Sequence, residues 1–196
     1  MMKTTSLALL SAVALSFCLA APAKAQSRLN DRQLIETLGE LDESKSIDVE
    51  ALRKRALDSV AQNRGPDPSN REPLAMELDD LSQLTVEIQF QLNSAAILPA
   101  SFRTLGVMAD AMHHPTLLEY TFLVVGHTDS SGGRRHNLEL SQKRADAVRD
   151  ALVSTFNISP QKVFAVGLGE EQLLIRKPST SPKNRRVQLI NIGRYQ

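Results

Sequence analysis

Cysteine is almost absent from this chain of 196 residues. Its one cysteine, Cys18, lies in an amino-terminal segment that starts positive at Lys3, continues as an apolar run and ends in the small-residue sequence A-K-A at residues 23–25. The residue before the cysteine is a phenylalanine, whereas a lipid-modified cysteine needs a small residue there. We therefore predict a signal peptide at residues 1–25, cleaved near Ala25, and a mature protein without thiols or disulfides.

Long apolar runs and a strong net charge are also lacking. The apolar run of the leader is shorter than the roughly 20 residues that span a bilayer, and no other stretch approaches that length. Removing the leader takes away two lysines and no acids, which leaves 21 basic against 22 acidic residues and a net charge near −1. This balance argues against a nucleic-acid binder or a membrane-surface polycation. We expect a soluble protein in an exported compartment.

The first part of the mature chain has helical periodicity. Its two amphipathic stripes are Leu34, Leu38 and Leu41, then Val49, Leu52, Ala56 and Val60 after a candidate cap at Asp48. The basic block at residues 53–55 lies among acids and indicates a solvated helix face. Residues 63–73, NRGPDPSNREP, have the composition of a linker. Residues 26–75 are therefore predicted to form a helical extension and linker, and the stripes favour a contact with another envelope protein.

The order of elements becomes regular beyond the linker. The predicted elements are a half-buried strand at residues 84–92, a helix between Pro99 and Pro115, a strand at 120–125, a helix at 137–156 and short strands at 163–166 and 187–192. The second strand, YTFLVV, is apolar throughout, as expected of a central strand. This β-α-β-α-β-β order predicts a two-layer α+β fold, in which a mixed four-stranded sheet has its helices on one face.

The stretch GHTDSSGGRRHNLELSQKRA, residues 126–145, follows the predicted central strand. Its glycines match neither the dinucleotide-binding pattern nor the phosphate loop, which argues against a nucleotide. His127, Asp129 and His136 lack the compact and complete spacing of a metal site. The serines, histidine and acid share one turn without a nucleophile elbow, which argues against nucleophilic catalysis. We expect no cofactor, no metal and no enzymatic activity.

Asp129 and Arg144 form a more informative pair. Asp129 comes at the carboxyl end of the predicted central strand, where open α/β sheets collect ligands. Arg144 lies seven residues, about two helical turns, after Asn137, so its side chain can point back toward the strand end. The spacing fits two interpretations equally: a clamp for a ligand with both signs of charge, or a structural ion pair that closes the turn. The role of Asn137 also has two interpretations. It could belong to the site, or it could simply cap the helix, since asparagine is a preferred helix cap.

Several motifs occur in order between residues 84 and 193. They are the strand TVEIQFQLNSAAILP, G-H-T-D-x-x-G at residues 126–132, N-x-x-L-S-x-x-R-A at 137–145, G-L-G-E at 167–170 and N-R-R-V at 184–187. Together they resemble the OmpA-like peptidoglycan-binding domain, a family that includes the peptidoglycan-associated lipoprotein and flagellar stator anchors. Leu173 departs from the proline that the family usually has after the G-x-G-E motif.

The resemblance implies an OmpA-like fold for residues 76–196 and noncovalent, non-catalytic binding of peptidoglycan through the diaminopimelate of its stem peptide. In that role Asp129 would bind the ammonium group of the ligand and Arg144 its free carboxylate. The other pocket positions implied are Thr128, Asn137 and Arg185, with Arg186 as the alternative to Arg185. The family also implies a periplasmic protein, associated with the outer membrane through partners, that serves cell-envelope anchoring or integrity.

Two other functions stay open at this stage. The fold could recruit a protein partner instead of the wall, or the protein could be a wall-modifying hydrolase. Binding to purified sacculi separates the first from wall binding, and release of soluble wall fragments would identify the hydrolase.

Overall fold

The computed structural model of the protein describes residues 31–39, 47–62, 78–79 and 81–194. The predicted signal peptide, Leu41 and the predicted linker at 63–73 lie outside the described residues. The fold is built from helices α1 (Asp31–Gly39), α2 (Val49–Ala61), α3 (Phe102–His113) and α4 (Arg134–Ser154), and strands β1 (Gln83–Val86), β2 (Tyr120–His127), β3 (Val163–Gly169) and β4 (Val187–Arg194). Short 3-10 turns cover Pro99–Ser101, Pro115–Leu117 and Pro182–Asn184. Within the described ranges, no helix combines the length and apolar character that crossing a bilayer requires.

The strands form one mixed sheet in the order β1-β4-β2-β3. Strand β2 pairs in parallel with β3 and antiparallel with β4, which also pairs antiparallel with β1. Strand β2 therefore lies inside the sheet, and residues 121–127 are all buried. This confirms the predicted central strand, because a strand that is apolar on both faces needs cover on both sides. The α+β fold class is confirmed with it.

One face of the sheet packs against α1, α3 and α4. Phe122 and Val124 of β2 and Leu189 of β4 lie on this side and are fully buried. The helix residues buried against them are Leu34 and Leu38 of α1, Leu105, Met108 and Met112 of α3, and Ala145, Val148 and Leu152 of α4. Their spacing of three and four residues places them on one stripe of each helix. The two helices of the β-α-β-α-β-β order therefore lie on one face, as predicted.

Helix α2 of the extension covers the opposite face. Its buried residues Leu52 and Ala56 share a second core with Leu123, Val125, Val166, Leu168 and Ile190. Asp48 caps this helix as predicted, since its side chain accepts a hydrogen bond of 3.0 Å from the N–H of Ala51. The leucines that favoured a contact with another envelope protein, as far as they are described, are thus buried within this chain.

Strand β3 is an edge of the sheet, and side chains bind its outward carbonyl groups. Arg53 of α2 donates from Nη2 to the carbonyl oxygen of Ala165 at 2.9 Å, and Gln142 of α4 donates to the same oxygen at 3.3 Å. Arg149 donates from Nε to the carbonyl oxygen of Val163 at 3.0 Å. Arg53 is therefore part of the packed structure, which corrects the solvated face predicted for all of residues 53–55.

Two element boundaries differ from the sequence prediction. Strand β1 ends at Val86 instead of continuing to residue 92, because the N–H of Gln89 donates to the side chain of Ser101 at 2.8 Å rather than to a neighbouring strand. Helix α4 begins one turn earlier than predicted, after Gly133, whose backbone is extended (φ −84°, ψ 134°). Asn137 is therefore inside the helix and is not its cap.

Helix α4 lies directly on β2 and β3. A Cβ atom at Gly126 would lie 2.4 Å from the carbonyl oxygen of Ser141, and one at Gly167 would lie 2.1 Å from the backbone nitrogen of Gln142. Such contacts leave no room for a side chain, so the helix backbone rests on the sheet. The N–H groups of Gly167 and Gly169 donate to the side chains of Gln142 and Ser141, both at 2.8 Å. This close packing fixes the position of α4 relative to the end of β2.

The burial of α2 yields a test on matched leucines of one helix. Leu52 is fully buried, whereas Leu57 is 54% exposed. We expect Leu52→Ala to lower the free energy of unfolding by about 2–5 kcal/mol, because it leaves a cavity in the second core. Leu57→Ala should change it by less than about 0.5 kcal/mol. Denaturant titration measures both, and equal effects would show that α2 does not pack on the sheet.

Candidate ligand-binding site

Asp129 lies in the turn directly after β2 and is almost completely buried. One carboxylate oxygen accepts hydrogen bonds from the N–H of Ser131 at 2.9 Å and from the Ser131 hydroxyl, and the other accepts from Nη1 of Arg185. Burial on its own would raise the pKa of Asp129, but the hydrogen bonds from Ser131 and Arg185 outweigh it and hold the pKa below its usual value. The carboxylate is therefore ionised at neutral pH.

Arg144 projects from α4 and is half-buried. Its Nε donates to the carbonyl oxygen of Ser94 at 3.0 Å, and its guanidinium carbon lies 5.0 Å from the centre of the Phe90 ring. Burial lowers the pKa of Arg144, the charge of Arg185 lowers it further, and the charge of Asp129 opposes both. Arg144 is thus held by a carbonyl and an aromatic ring, while the ion pair described for Asp129 is with Arg185.

Asn137 ties three segments of the site together. Its side-chain nitrogen donates to the backbone carbonyl of Asp129 at 3.2 Å and to Oε2 of Glu170 at 2.6 Å. The neighbouring Thr128 is buried, and its N–H donates to the carbonyl of Gly169 at 2.9 Å. These bonds link α4, the turn after β2 and the end of β3, so Asn137 and Thr128 fix the backbone that presents Asp129.

The two arginines of the N-R-R-V motif have different surroundings. Arg185 reaches Asp129 with a side chain that is 51% exposed. Arg186 is buried, and its Nη2 donates to the carbonyl of Gln172 at 3.2 Å and to the side chain of Gln188 at 3.3 Å. Burial lowers the pKa of Arg186 to about 10, and the charge of Asp79 partly opposes this. Of the two candidates, Arg185 is the one that joins Asp129.

A cleft of about 390 Å³ opens beside this turn. It is lined by Arg144, Arg185, Phe90, Gly126 and His127, among others, so it adjoins the carboxyl end of β2. Of the predicted site residues, Arg144 and Arg185 line the cleft directly, and Asp129 is joined to it through Arg185. Phe90, Ser131 and Glu170 were not predicted from the sequence. The sequence signal available for Phe90 and Glu170 was their position in two recognised motifs, TVEIQFQLNSAAILP and G-L-G-E.

The segment after β3, whose course the family resemblance did not supply, is held against the Asp129 turn. The Asn184 side chain accepts from the N–H of Ile175 at 2.8 Å and donates to the carbonyls of Ile175 and Ser179, both at 2.8 Å. The hydroxyl of Ser130 donates to that of Ser179 at 2.6 Å. Asn184 thus organises the segment that leads into Arg185.

The extension is also bonded to this region through a buried carboxylate. Glu171 accepts from Ser59 of α2 at 2.7 Å and from Nε of Arg134 at 2.7 Å, and Arg134 donates from Nη2 to Ser59 at 3.0 Å. Glu171 directly follows Glu170, the partner of Asn137. Helix α2, the first turn of α4 and the end of β3 are therefore joined a few residues from Asp129.

His127 lies under the cleft with almost no exposed surface. Burial lowers its pKa well below 6.5, the positive charge of Arg186 lowers it further, and the nearby side chain of Gln188 partly opposes these effects. The folded protein therefore keeps this imidazole neutral below the pH at which the unfolded chain protonates it. Among the described residues, no group of three or more histidine, cysteine or acidic side chains has a metal-binding arrangement.

The depressed pKa of His127 predicts a pH dependence of stability. Below pH 6.5 the unfolded chain takes up a proton that folded His127 does not, so the free energy of unfolding should fall by about 1.4 kcal/mol per pH unit until the folded pKa is reached. Asp129 should contribute only at lower pH, because its pKa lies below the usual 3.8. Denaturant titrations between pH 7 and 5 should show a shallower slope for His127→Gln. Equal slopes would contradict the assignment.

The α+β fold thus presents a buried carboxylate and two guanidinium groups beside one cleft, an arrangement that can contact a small ligand carrying both signs of charge. Residues 89–187, about half of the chain, match the OmpA family, and the chain belongs to that family.

Similar proteins occur in several bacteria. Outer membrane porin F of Pseudomonas aeruginosa is 31% identical over 111 residues, which cover 56% of this chain and 31% of the porin. Peptidoglycan-binding protein ArfA of Mycobacterium bovis is 30% identical over 105 residues, covering 53% of this chain and 31% of ArfA. The periplasmic domain of Helicobacter pylori MotB has the same fold, with a TM-score of 0.51 at 19% identity over 58% of this chain and 78% of that domain. The chain spans about a third of the length of these two curated relatives.

Proposed function

We propose that the protein binds peptidoglycan noncovalently through the diaminopimelate of the stem peptide, without catalysis, and serves cell-envelope anchoring or integrity. The observation that carries the proposal is the buried carboxylate of Asp129, paired with Arg185 beside a cleft that Arg144 also lines. The side chain of diaminopimelate ends in an ammonium group and a carboxylate on the same carbon. Such a ligand requires fixed charges of both signs close together, and charge-assisted hydrogen bonds make the contacts strong.

Arg185 acts as a replaceable partner of Asp129. The Asp129 side chain is 4% exposed and is held by Ser131, whereas the Arg185 side chain is 51% exposed. Because Arg185 is half-exposed, water can solvate its guanidinium when it leaves, provided that another cation takes its place beside the buried carboxylate. When the ammonium group of the ligand reaches Asp129, Arg185 turns toward the ligand carboxylate. In the absence of ligand, the ion pair with Arg185 balances the negative charge of the buried Asp129 carboxylate.

Arg144 does not need to move when the ligand binds. Its hydrogen bond to Ser94 and its position over Phe90 restrict the guanidinium before any ligand arrives. A restricted side chain loses less conformational entropy on binding than a free one does. Arg144 therefore supplies a preorganised contact for the ligand carboxylate, and Thr128 and Asn137 support the turn that carries Asp129.

The location proposed for the protein is the periplasm. The leader at residues 1–25 would direct export, and the names of two relatives, an outer membrane porin and a peptidoglycan-binding protein, support a place at the envelope. Association with the outer membrane would then depend on partners rather than on this domain.

Sedimentation with purified walls tests the clamp. Asp129→Ala and Arg144→Ala should each weaken binding by about 2–5 kcal/mol, because each removes a charged contact and leaves its counterpart unpaired. Lys143→Ala is the matched control, since it removes an exposed positive charge from the position before Arg144 in the same helix. Melting temperatures recorded for every variant separate a binding defect from loss of folding.

A comparison of diaminopimelate walls with lysine walls tests whether Arg144 binds the second carboxylate of diaminopimelate. Lysine at the same stem position lacks the second carboxylate of diaminopimelate, so the unmodified protein should prefer diaminopimelate walls and Arg144→Ala should lose most of that preference. If both variants sediment with diaminopimelate walls as well as the unmodified protein does, the clamp is wrong and recruitment of a protein partner becomes the better explanation. Release of soluble fragments would point to a hydrolase.

A further inference from the structure

We propose that a groove adjoining the diaminopimelate cleft is a second anion subsite, in which Arg103 and Lys183 bind a further carboxylate of the same stem peptide. This inference rests on the proposed function, since it extends the ligand beyond its diaminopimelate residue.

The groove and the cleft adjoin each other and share part of their lining. The groove has a volume of about 770 Å³ and lies between the chain after β1, the start of α3 and the segment before β4. The residues that line both spaces are Glu87, Gln89, Pro182, Arg185 and Arg186. A peptide whose diaminopimelate side chain occupies the cleft therefore has the groove directly beside it.

The groove has an excess of positive charge. Arg103, Lys183, Arg185 and Arg186 line it, against the single acid Glu87. Arg103 and Lys183 are exposed, and neither side chain makes a hydrogen bond or ion pair with any residue in the described part of the chain. Since no carboxylate among the described residues pairs with these two side chains, both are available to a ligand anion.

Arg186 adds to the positive charge of the groove from a buried position. Its side chain is 8% exposed, and its Nε and Nη1 have no hydrogen-bond partner among the described residues. A buried guanidinium with unpaired N–H groups is costly, and a nearby anion offsets part of that cost. Arg186 lines both spaces, so a carboxylate bound between Arg103 and Lys183 would lie within the range of its charge.

The size and remaining chemistry of the groove fit a short peptide. Its volume falls within the range of roughly 300–1,000 Å³ usual for small-ligand pockets. Leu174 lines it and is 57% exposed, which offers an apolar surface to the aliphatic part of a ligand. In stem peptides, carboxylates neighbour diaminopimelate on both sides, at the glutamate before it and at the chain end after it. The ligand class is therefore a diaminopimelate peptide with a second free carboxylate.

Calorimetric titration of the purified protein with soluble ligands tests the subsite. The ligands are free diaminopimelate, a stem peptide with free carboxylates, and the same peptide amidated either at the glutamate or at its carboxyl end. We expect one of the two amidations to weaken binding at least about tenfold, since it removes a charge-assisted contact. The affinity for free diaminopimelate reports on the cleft alone.

The double variant Arg103→Ala/Lys183→Ala should abolish this sensitivity to amidation and leave the affinity for free diaminopimelate unchanged. Arg135→Ala/Lys143→Ala is the matched control, because it also removes one arginine and one lysine from exposed positions and should keep the sensitivity. Arg103→Lys/Lys183→Arg should retain most of it, which separates a charge contact from a packing effect.

The outcomes distinguish the subsite from the proposed function. If the unmodified protein binds free diaminopimelate and all three peptides, with equal affinities for the peptides, the subsite is wrong and diaminopimelate binding stands. Sensitivity to amidation that survives in the double variant would also overturn it. If neither free diaminopimelate nor any peptide binds, both the proposed function and the subsite are rejected.

Discussion

The direct packing of α4 on β2 and β3 is the constraint on which the proposed ligand-binding site depends. At Gly126 and Gly167 the backbone of the sheet touches the backbone of the helix, and no side chain fits between them. Helix α4 carries both Asn137 and Arg144, so its distance from the sheet decides whether these residues reach the turn at the end of β2. A larger residue at either glycine would move the helix and both side chains together. The precision of the site is thus a property of backbone packing.

The electrostatics of the site follow from unequal burial. Asp129 is enclosed and supplied with donors, so it stays ionised in one position, while Arg185 reaches it from a half-exposed segment. Arg144 has a carbonyl group and a ring as neighbours instead of an acid. The site therefore contains one enclosed negative charge, one half-buried positive charge and one positive charge on a half-exposed side chain. A ligand with both signs of charge can exchange contacts there without leaving a buried charge uncompensated.

Sequence patterns predicted the features that local chemistry controls. The uniformly apolar run at residues 120–125 indicated an interior strand, and Asp48 indicated the start of α2, because burial and capping depend on neighbouring residues. The Asp129–Arg185 ion pair was not predicted, since it joins residues 56 positions apart through a segment that Asn184 folds back. The face covered by α2 was not predicted either. An apolar stripe shows that a helix packs against something, but it does not show whether the partner lies in the same chain.

The arginine contacts at β3 have a consequence for self-association. An edge strand with free backbone groups is a template on which another chain can add a strand. On β3, the carbonyls of Val163 and Ala165 are already bonded to Arg149 and Arg53. A second copy would have to displace both side chains before its own strand could pair, which disfavours extension of the sheet from one molecule to the next on this side. Since Arg53 belongs to α2, the extension protects the domain from such polymerisation as well as covering its core.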